Sequence, residues 1–213
     1  MSVAAIVLAA GSGERFGGHK QFELVNGDRL VDIAVRAVAG VAQDIVVVVP
    51  PDVDWDGPGV GVTGGASRAA SVRRGLARVP GEVEVVVVHD AAHPLATTAL
   101  VERLVAEVRA GADGAVPVMK TRETVAYVGA DGALRDAVPP AGLVFVQMPH
   151  AFRATALRAA HTHTPDVVDD ASLLQSLGHR IVGVAGEPAN LHVTTPEELA
   201  VLRRMVGGAP ELR

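Results

Sequence analysis

Three short stretches of this chain, Ile6–Ala10, Ile45–Val49 and Val85–Val88, are apolar without interruption. A strand with one wet face alternates apolar and polar residues, whereas a strand that is apolar throughout is covered on both faces. Such strands need layers above and below them. The intervening stretches Leu30–Val41, Ser67–Ala77 and Thr98–Ala110 carry the 3.6-residue pattern of amphipathic helices. The alternation predicts an α/β fold with an open, doubly wound, mostly parallel sheet. Gly114–Val118 adds another buried strand.

The second half departs from this rhythm. Thr124–Val128 and Leu134–Val138 read as two strands joined by the turn signal Gly129-Ala130-Asp131-Gly132. The spacing predicts a hairpin arm over residues 120–146, inserted into one domain spanning residues 1–213. An arm of this kind can cover a site, join a second copy, or stand free in solvent. Helices are expected over Ala151–Ala160 and Asp170–Leu177, a strand over Arg180–Val184, and a last helix over Pro196–Val206. That last helix has Thr195 as N-cap, proline at its first position and Glu197 and Glu198 in its first turn. The tail Gly207–Arg213 reads as frayed.

With 213 residues, 49% of them hydrophobic, the chain can bury a sizeable core. The absence of cysteine excludes disulfides and thiolate metal sites. A formal net charge of -5 argues against broad nucleic-acid or anionic-membrane binding. The apolar start has no basic flank and is too short to cross a bilayer, so a cytoplasmic protein is expected.

The loop after the first strand runs Ala9-Ala10-Gly11-Ser12-Gly13-Glu14-Arg15-Phe16-Gly17-Gly18-His19-Lys20-Gln21-Phe22. Small residues let backbone N–H groups approach an anion, and Arg15 and Lys20 add fixed positive charge. Phosphoryl and nucleotidyl transfer need phosphates held in line and their growing charge neutralised, which suits this pair. A dinucleotide fingerprint is the competing reading, but its third glycine position falls on Phe16. A structural glycine turn with two solvated basic residues is the other.

Three further segments follow. Gly64-Gly65-Ala66-Ser67-Arg68 enters a helix through a glycine turn and a serine cap. His89-Asp90-Ala91-Ala92-His93-Pro94 puts a carboxylate at the carboxyl end of a parallel strand, where open α/β sheets bind ligands. Asp90 could hold Mg²⁺ there, or cap the next loop. Asp169-Asp170-Ala171-Ser172 reads as an acidic helix start, a structural cap. His161 and His163 read as surface or satisfied core residues.

Taken together, the first loop, Gly64-Gly65 with Arg68, Ser71-Val72 and Gly75-Leu76, the His-Asp-Ala-Ala segment, and Asn190-Leu191-His192-Val193-Thr194-Thr195-Pro196-Glu197 resemble the 2-C-methyl-D-erythritol 4-phosphate cytidylyltransferase family. The likeness extends from Val3 to Val206. It implies a nucleotidyltransferase that passes CMP from CTP to a small polyol phosphate, with Mg²⁺ as cofactor. It assigns Arg15 and Lys20 to catalysis. Ala10, Gly11, Ser12, Gly13, Gly65, Ala66, Ser71 and Asp90 fall to CTP, and Asp90 also to the metal. Thr124, His93 and His192 fall to the acceptor, and the arm implies a homodimer.

The acceptor side departs from the family pattern. His93 stands where the family has arginine and His192 where it has lysine, while Pro140 falls near the arginine of the arm. The usual Thr-Pro-Gln is Met148-Pro149-His150. Histidine holds phosphate less firmly than arginine at neutral pH, so the pair suggests a pH-dependent acceptor site. Another acceptor such as ribitol 5-phosphate, a molybdopterin-type nucleotidyltransferase, and a nucleotide-binding module without catalysis remain open readings.

Overall fold

The structure is a computed structural model that describes residues 2–121, 123–162 and 169–207. The first strand, β1 (Val3–Leu8), is followed by a two-stranded ribbon, β2 (Leu24–Val25) and β3 (Asp28–Arg29), and by helix α1 (Leu30–Ala39). Then come β4 (Asp44–Val49), β5 (Val60–Thr63), α2 (Arg68–Leu76), β6 (Val85–Asp90), α3 (Thr98–Arg109) and β7 (Gly114–Lys120). The arm is β8 (Val125–Val128) and β9 (Leu134–Val138). The remainder is β10 (Val144–Val146), β11 (His150–Arg153), α4 (Ala154–Ala160), α5 (Asp170–Ser176), β12 (Ile181–Ala185) and α6 (Pro196–Val206).

Eight strands form the main sheet. Parallel pairs run β6–β1–β4–β5, and β12 joins β7 in parallel. The uninterrupted apolar runs lie at its centre, as their pattern requires: every residue of β1 is buried. On one face α1 and α3 cover Val3, Ala5 and Val7. On the other α2, α4 and α5 cover Ala4, Ile6 and Leu8. Helix α6 closes a smaller cluster with Val25, Leu30 and Val193. It has the full capping box, with Thr195 and Glu198 satisfying each other's backbone N–H groups.

Three expectations need correction. The helix expected from Ala151 begins only at Ala154, because His150–Arg153 forms β11, antiparallel to both β6 and β7. Ala151 and Phe152 are fully buried there, and a short apolar run does not reveal its period. The first strand ends at Leu8 rather than Ala10, which frees Ala9 and Ala10 for the loop. Edge strand β5 and strand β10 were absent from the expectation. The arm does form as a hairpin, separate from the main sheet, with Gly132 at φ +77° in its turn. His163 and the tail beyond Gly207 lie outside the described residues.

Candidate active site

The loop after β1 folds back on itself around one carbonyl. The N–H groups of Phe16, Gly17 and Gly18 all donate to the Gly13 oxygen, at 2.8, 2.9 and 3.3 Å. Gly13 sits at φ +66°, and a Cβ there would lie 1.8 Å from the Gly18 oxygen, so no other residue fits. Buried Gln21 fixes the start of the loop through its Nε2, which donates to the carbonyls of Ala9 (2.7 Å) and Gly11 (3.2 Å). With these carbonyls taken, the N–H groups of residues 10 to 15 donate to no acceptor among the described residues. Consecutive unshared amides of this kind form an anion-binding concavity.

Lys20 reaches into the concavity from the far end of the loop, and its Nζ donates to the Val193 carbonyl at 2.6 Å. Burial pulls its pKa below the ordinary lysine value. The Asp90 carboxylate opposes this, Arg15 adds to it, and Glu198 opposes it. Arg15 stands exposed on the lip, with no hydrogen-bond partner among the described residues.

A second turn abuts the first. Gly64 follows β5, and a Cβ on it would strike the Ala10 methyl at 2.3 Å, so glycine is what lets the two loops touch. The Ser71 hydroxyl accepts the Gly65 N–H at 3.1 Å, and Ser67 caps α2. At the end of β6, one Asp90 oxygen accepts the Ala92 N–H at 2.8 Å; the other accepts no bond among the described residues. These pieces surround an open cavity of about 790 Å³. Every residue expected on the nucleotide side lines it, and so does His192.

The other two expected acceptor residues are not on that wall. His93 is buried behind His192, with the two rings stacked 4.6 Å apart and 11° from parallel. Burial lowers the pKa of both rings, and for His93 the His192 charge lowers it further. Both shifts favour the neutral rings, so any change of charge on the pair falls at lower pH than for a free histidine. Thr124 is exposed at the root of the arm, away from the cavity lining.

Residues without an expected role hold the third wall. The Gln147 amide donates to the carbonyls of Glu187 (2.9 Å) and Asn190 (3.1 Å) and accepts the Glu187 N–H at 2.9 Å. Buried Asn190 donates to the Met148 carbonyl at 2.6 Å, across a cis Met148–Pro149 bond. The Val193 N–H donates to Ala92 at 2.8 Å. The loop that presents His192 and the Val193 carbonyl is thus pinned to the end of β6 and to the segment after β10.

The family model for 2-C-methyl-D-erythritol 4-phosphate cytidylyltransferase matches residues 3–207. The chain belongs to this family. A relative of that name from Nocardia farcinica is 38% identical, over 96% of this chain and 94% of its own length. One from Chromobacterium violaceum is 36% identical, over 97% of this chain and 99% of its own. The crystal structure of 2-C-methyl-D-erythritol 4-phosphate cytidylyltransferase from Thermus thermophilus superposes with a TM-score of 0.86 at 31% identity, covering 98% of this chain and all of that one. His93 and His192, two of the positions expected to depart from the family pattern, are stacked on each other.

Proposed function

We propose that this chain transfers CMP from CTP to 2-C-methyl-D-erythritol 4-phosphate and releases pyrophosphate. The observation that carries the reading is the run of unshared amides at residues 10 to 15 beside the ammonium of Lys20. Those amides cradle the triphosphate. The turn at Gly65 and Ala66, with the Ser71 hydroxyl, meets the base.

An oxygen of the acceptor phosphate attacks the α-phosphorus in line as the bond to the bridging oxygen of pyrophosphate breaks. The acceptor is already anionic, so no side-chain nucleophile or base is required. Lys20 and Arg15 neutralise the charge that grows on the α-phosphate and the leaving group, the largest effect available to such a site. Family membership supports both the reaction and the acceptor.

Mg²⁺ belongs to the same proposal. Among the described residues no cluster of three or more acidic, histidine or cysteine side chains forms a cage. Asp90 offers one carboxylate with a free oxygen at the cavity, a donor set that suits Mg²⁺, which takes one or two carboxylates together with phosphate oxygens and water. When bound, Mg²⁺ would offset phosphate charge.

The arm is proposed to join two copies of the chain. Tyr127, Val128 and Leu134 of the arm are all more than half exposed, apolar side chains that a partner would cover. No helix among the described residues is long and apolar enough to cross a membrane; a cytoplasmic location is part of the proposal.

A second reading, another polyol phosphate such as ribitol 5-phosphate, is favoured by one observation: His192 lines the cavity, at a position where the resemblance implies a lysine. Pyrophosphate release, measured with four nucleoside triphosphates crossed with several polyol phosphates, tests both. CTP with methylerythritol phosphate should be fastest and need Mg²⁺. Faster turnover of ribitol 5-phosphate would favour the second reading, and no preference for CTP would defeat both.

A further inference from the structure

Arg68, the first residue of α2, lies between Gly65 and Ser71 and forms part of the cavity wall. Its Nη1 is 2.7 Å from an oxygen of Asp170, the first residue of α5. Its other guanidinium nitrogens donate to no acceptor among the described residues, and the side chain keeps 31% of its exposure. The anchor behind it is fully buried. Asp170 has 0% exposure, and its second oxygen is 2.8 Å from the Nε2 of His161, itself buried.

An acidic helix start needs none of this. Asp169, not Asp170, caps α5, accepting the Ser172 N–H at 2.9 Å. A carboxylate taken wholly out of water is costly unless both oxygens are engaged. Here each oxygen has a charged or chargeable donor. Burial pushes the Asp170 pKa up, but His161 and Arg68 outweigh it and hold the group below the usual carboxylate value. The arrangement therefore keeps a buried negative charge against one guanidinium, that of a residue lining the cavity.

We infer that Asp170, with His161 behind it, is a positioning residue for nucleotide recognition, acting through Arg68. It holds the guanidinium beside the Gly65–Ser71 turn, where the spare N–H groups meet acceptor atoms on the base-and-ribose half of CTP, not its phosphates. This rests on the proposed reading of the cavity as a CTP site. A guanidinium tethered at one edge loses little freedom when the other edge binds, which is how pre-organisation raises affinity.

The test is a double-mutant cycle of Arg68→Met and Asp170→Asn. CTP and inorganic tripolyphosphate are titrated calorimetrically, and steady-state kinetics are run alongside. Each single variant should weaken CTP about tenfold, the loss of one charged hydrogen bond. Tripolyphosphate binding, the KM for the acceptor and kcat at saturating CTP should stay within about twofold of wild type if the contact is uniform binding of the nucleotide. The double variant should be no worse than Arg68→Met alone, and Arg68→Lys should recover part of the loss.

Additive effects, or equal losses of CTP and tripolyphosphate, would overturn the inference. Should Asp170→Asn fail to fold, Arg68→Met with unchanged CTP affinity would overturn it alone. Wild-type protein that binds no CTP would instead defeat the proposed function.

Discussion

At Gly13 the backbone adopts φ +66° with a carbonyl 1.8 Å from where a side chain would begin. Gly13→Ala cannot be absorbed by moving a flexible side chain, because the obstacle is backbone. The loop must open, which disturbs the backbone that carries the unshared amides of residues 10 to 15. We expect kcat/KM for CTP to fall by at least about a hundredfold, since small misplacements of positioning groups cost that much. Thermal denaturation should shift little, because the loop is largely exposed and contributes little to the core. A variant with wild-type kcat/KM would contradict this role for the loop.

Lys20 makes a second prediction at this scale. Burial lowers its pKa below 10.5, aided by Arg15 and opposed by Asp90 and Glu198. The cationic form is the useful one, so activity is lost as pH rises through that lowered value. The alkaline limb of kcat/KM, which reports the free enzyme, should fall below pH 10.5. Lys20→Arg should move the limb to higher pH. A limb unmoved by that change would assign the ionisation elsewhere.

Among the elements, the loop from Glu187 to Thr194 depends most on contacts far away in the chain. Gln147 binds it with three hydrogen bonds and so sets where His192 and the Val193 carbonyl stand. Gln147→Ala should raise the KM for the acceptor roughly tenfold, about the cost of one or two lost bonds to a loop. The effect on CTP affinity should be smaller, because the first loop is braced separately by Gln21. Kinetics with each substrate varied in turn would check this, and an equal loss for both would contradict it.

The elements also differ in how readily they could be read. The apolar runs of β1, β4 and β6 declared their burial, and the first loop declared its chemistry through glycines beside Arg15 and Lys20. Strand β11 did not, because Ala151 and Phe152 join an apolar stretch whose period is ambiguous over about four residues. The roles of Gln147 and Asp170 are set by partners 40 and 102 residues away, and no local pattern carries that. His93 was expected on the wall; which way a side chain turns after a strand end is decided by packing, and here it packs on His192.

Across the whole molecule, buried histidines tie folding to pH. Burial is the main reason that His89 is pushed down to about 3 and His150 to about 4. In the unfolded chain both regain an ordinary value near 6.5, so between about pH 6.5 and 4 the unfolded state binds more protons than the folded one. Stability is therefore full above that window and lost as pH falls through it. The slope is up to about 1.4 kcal/mol per pH unit for each such group. Both His89 nitrogens lack a hydrogen-bond partner among the described residues, so His89→Val, matching its neighbours in β6, should flatten the acid side of a Tm-against-pH curve. An unchanged slope would contradict the linkage.

Those effects all surround one claim: the N–H groups of residues 10 to 15 are a cradle for triphosphate. Amide hydrogen exchange, followed residue by residue with and without CTP and Mg²⁺, addresses it directly. The account predicts that CTP slows exchange at residues 10 to 15 more than anywhere else outside the Gly65–Ser71 turn. Unchanged exchange in that loop, under conditions where CTP is turned over, would contradict it.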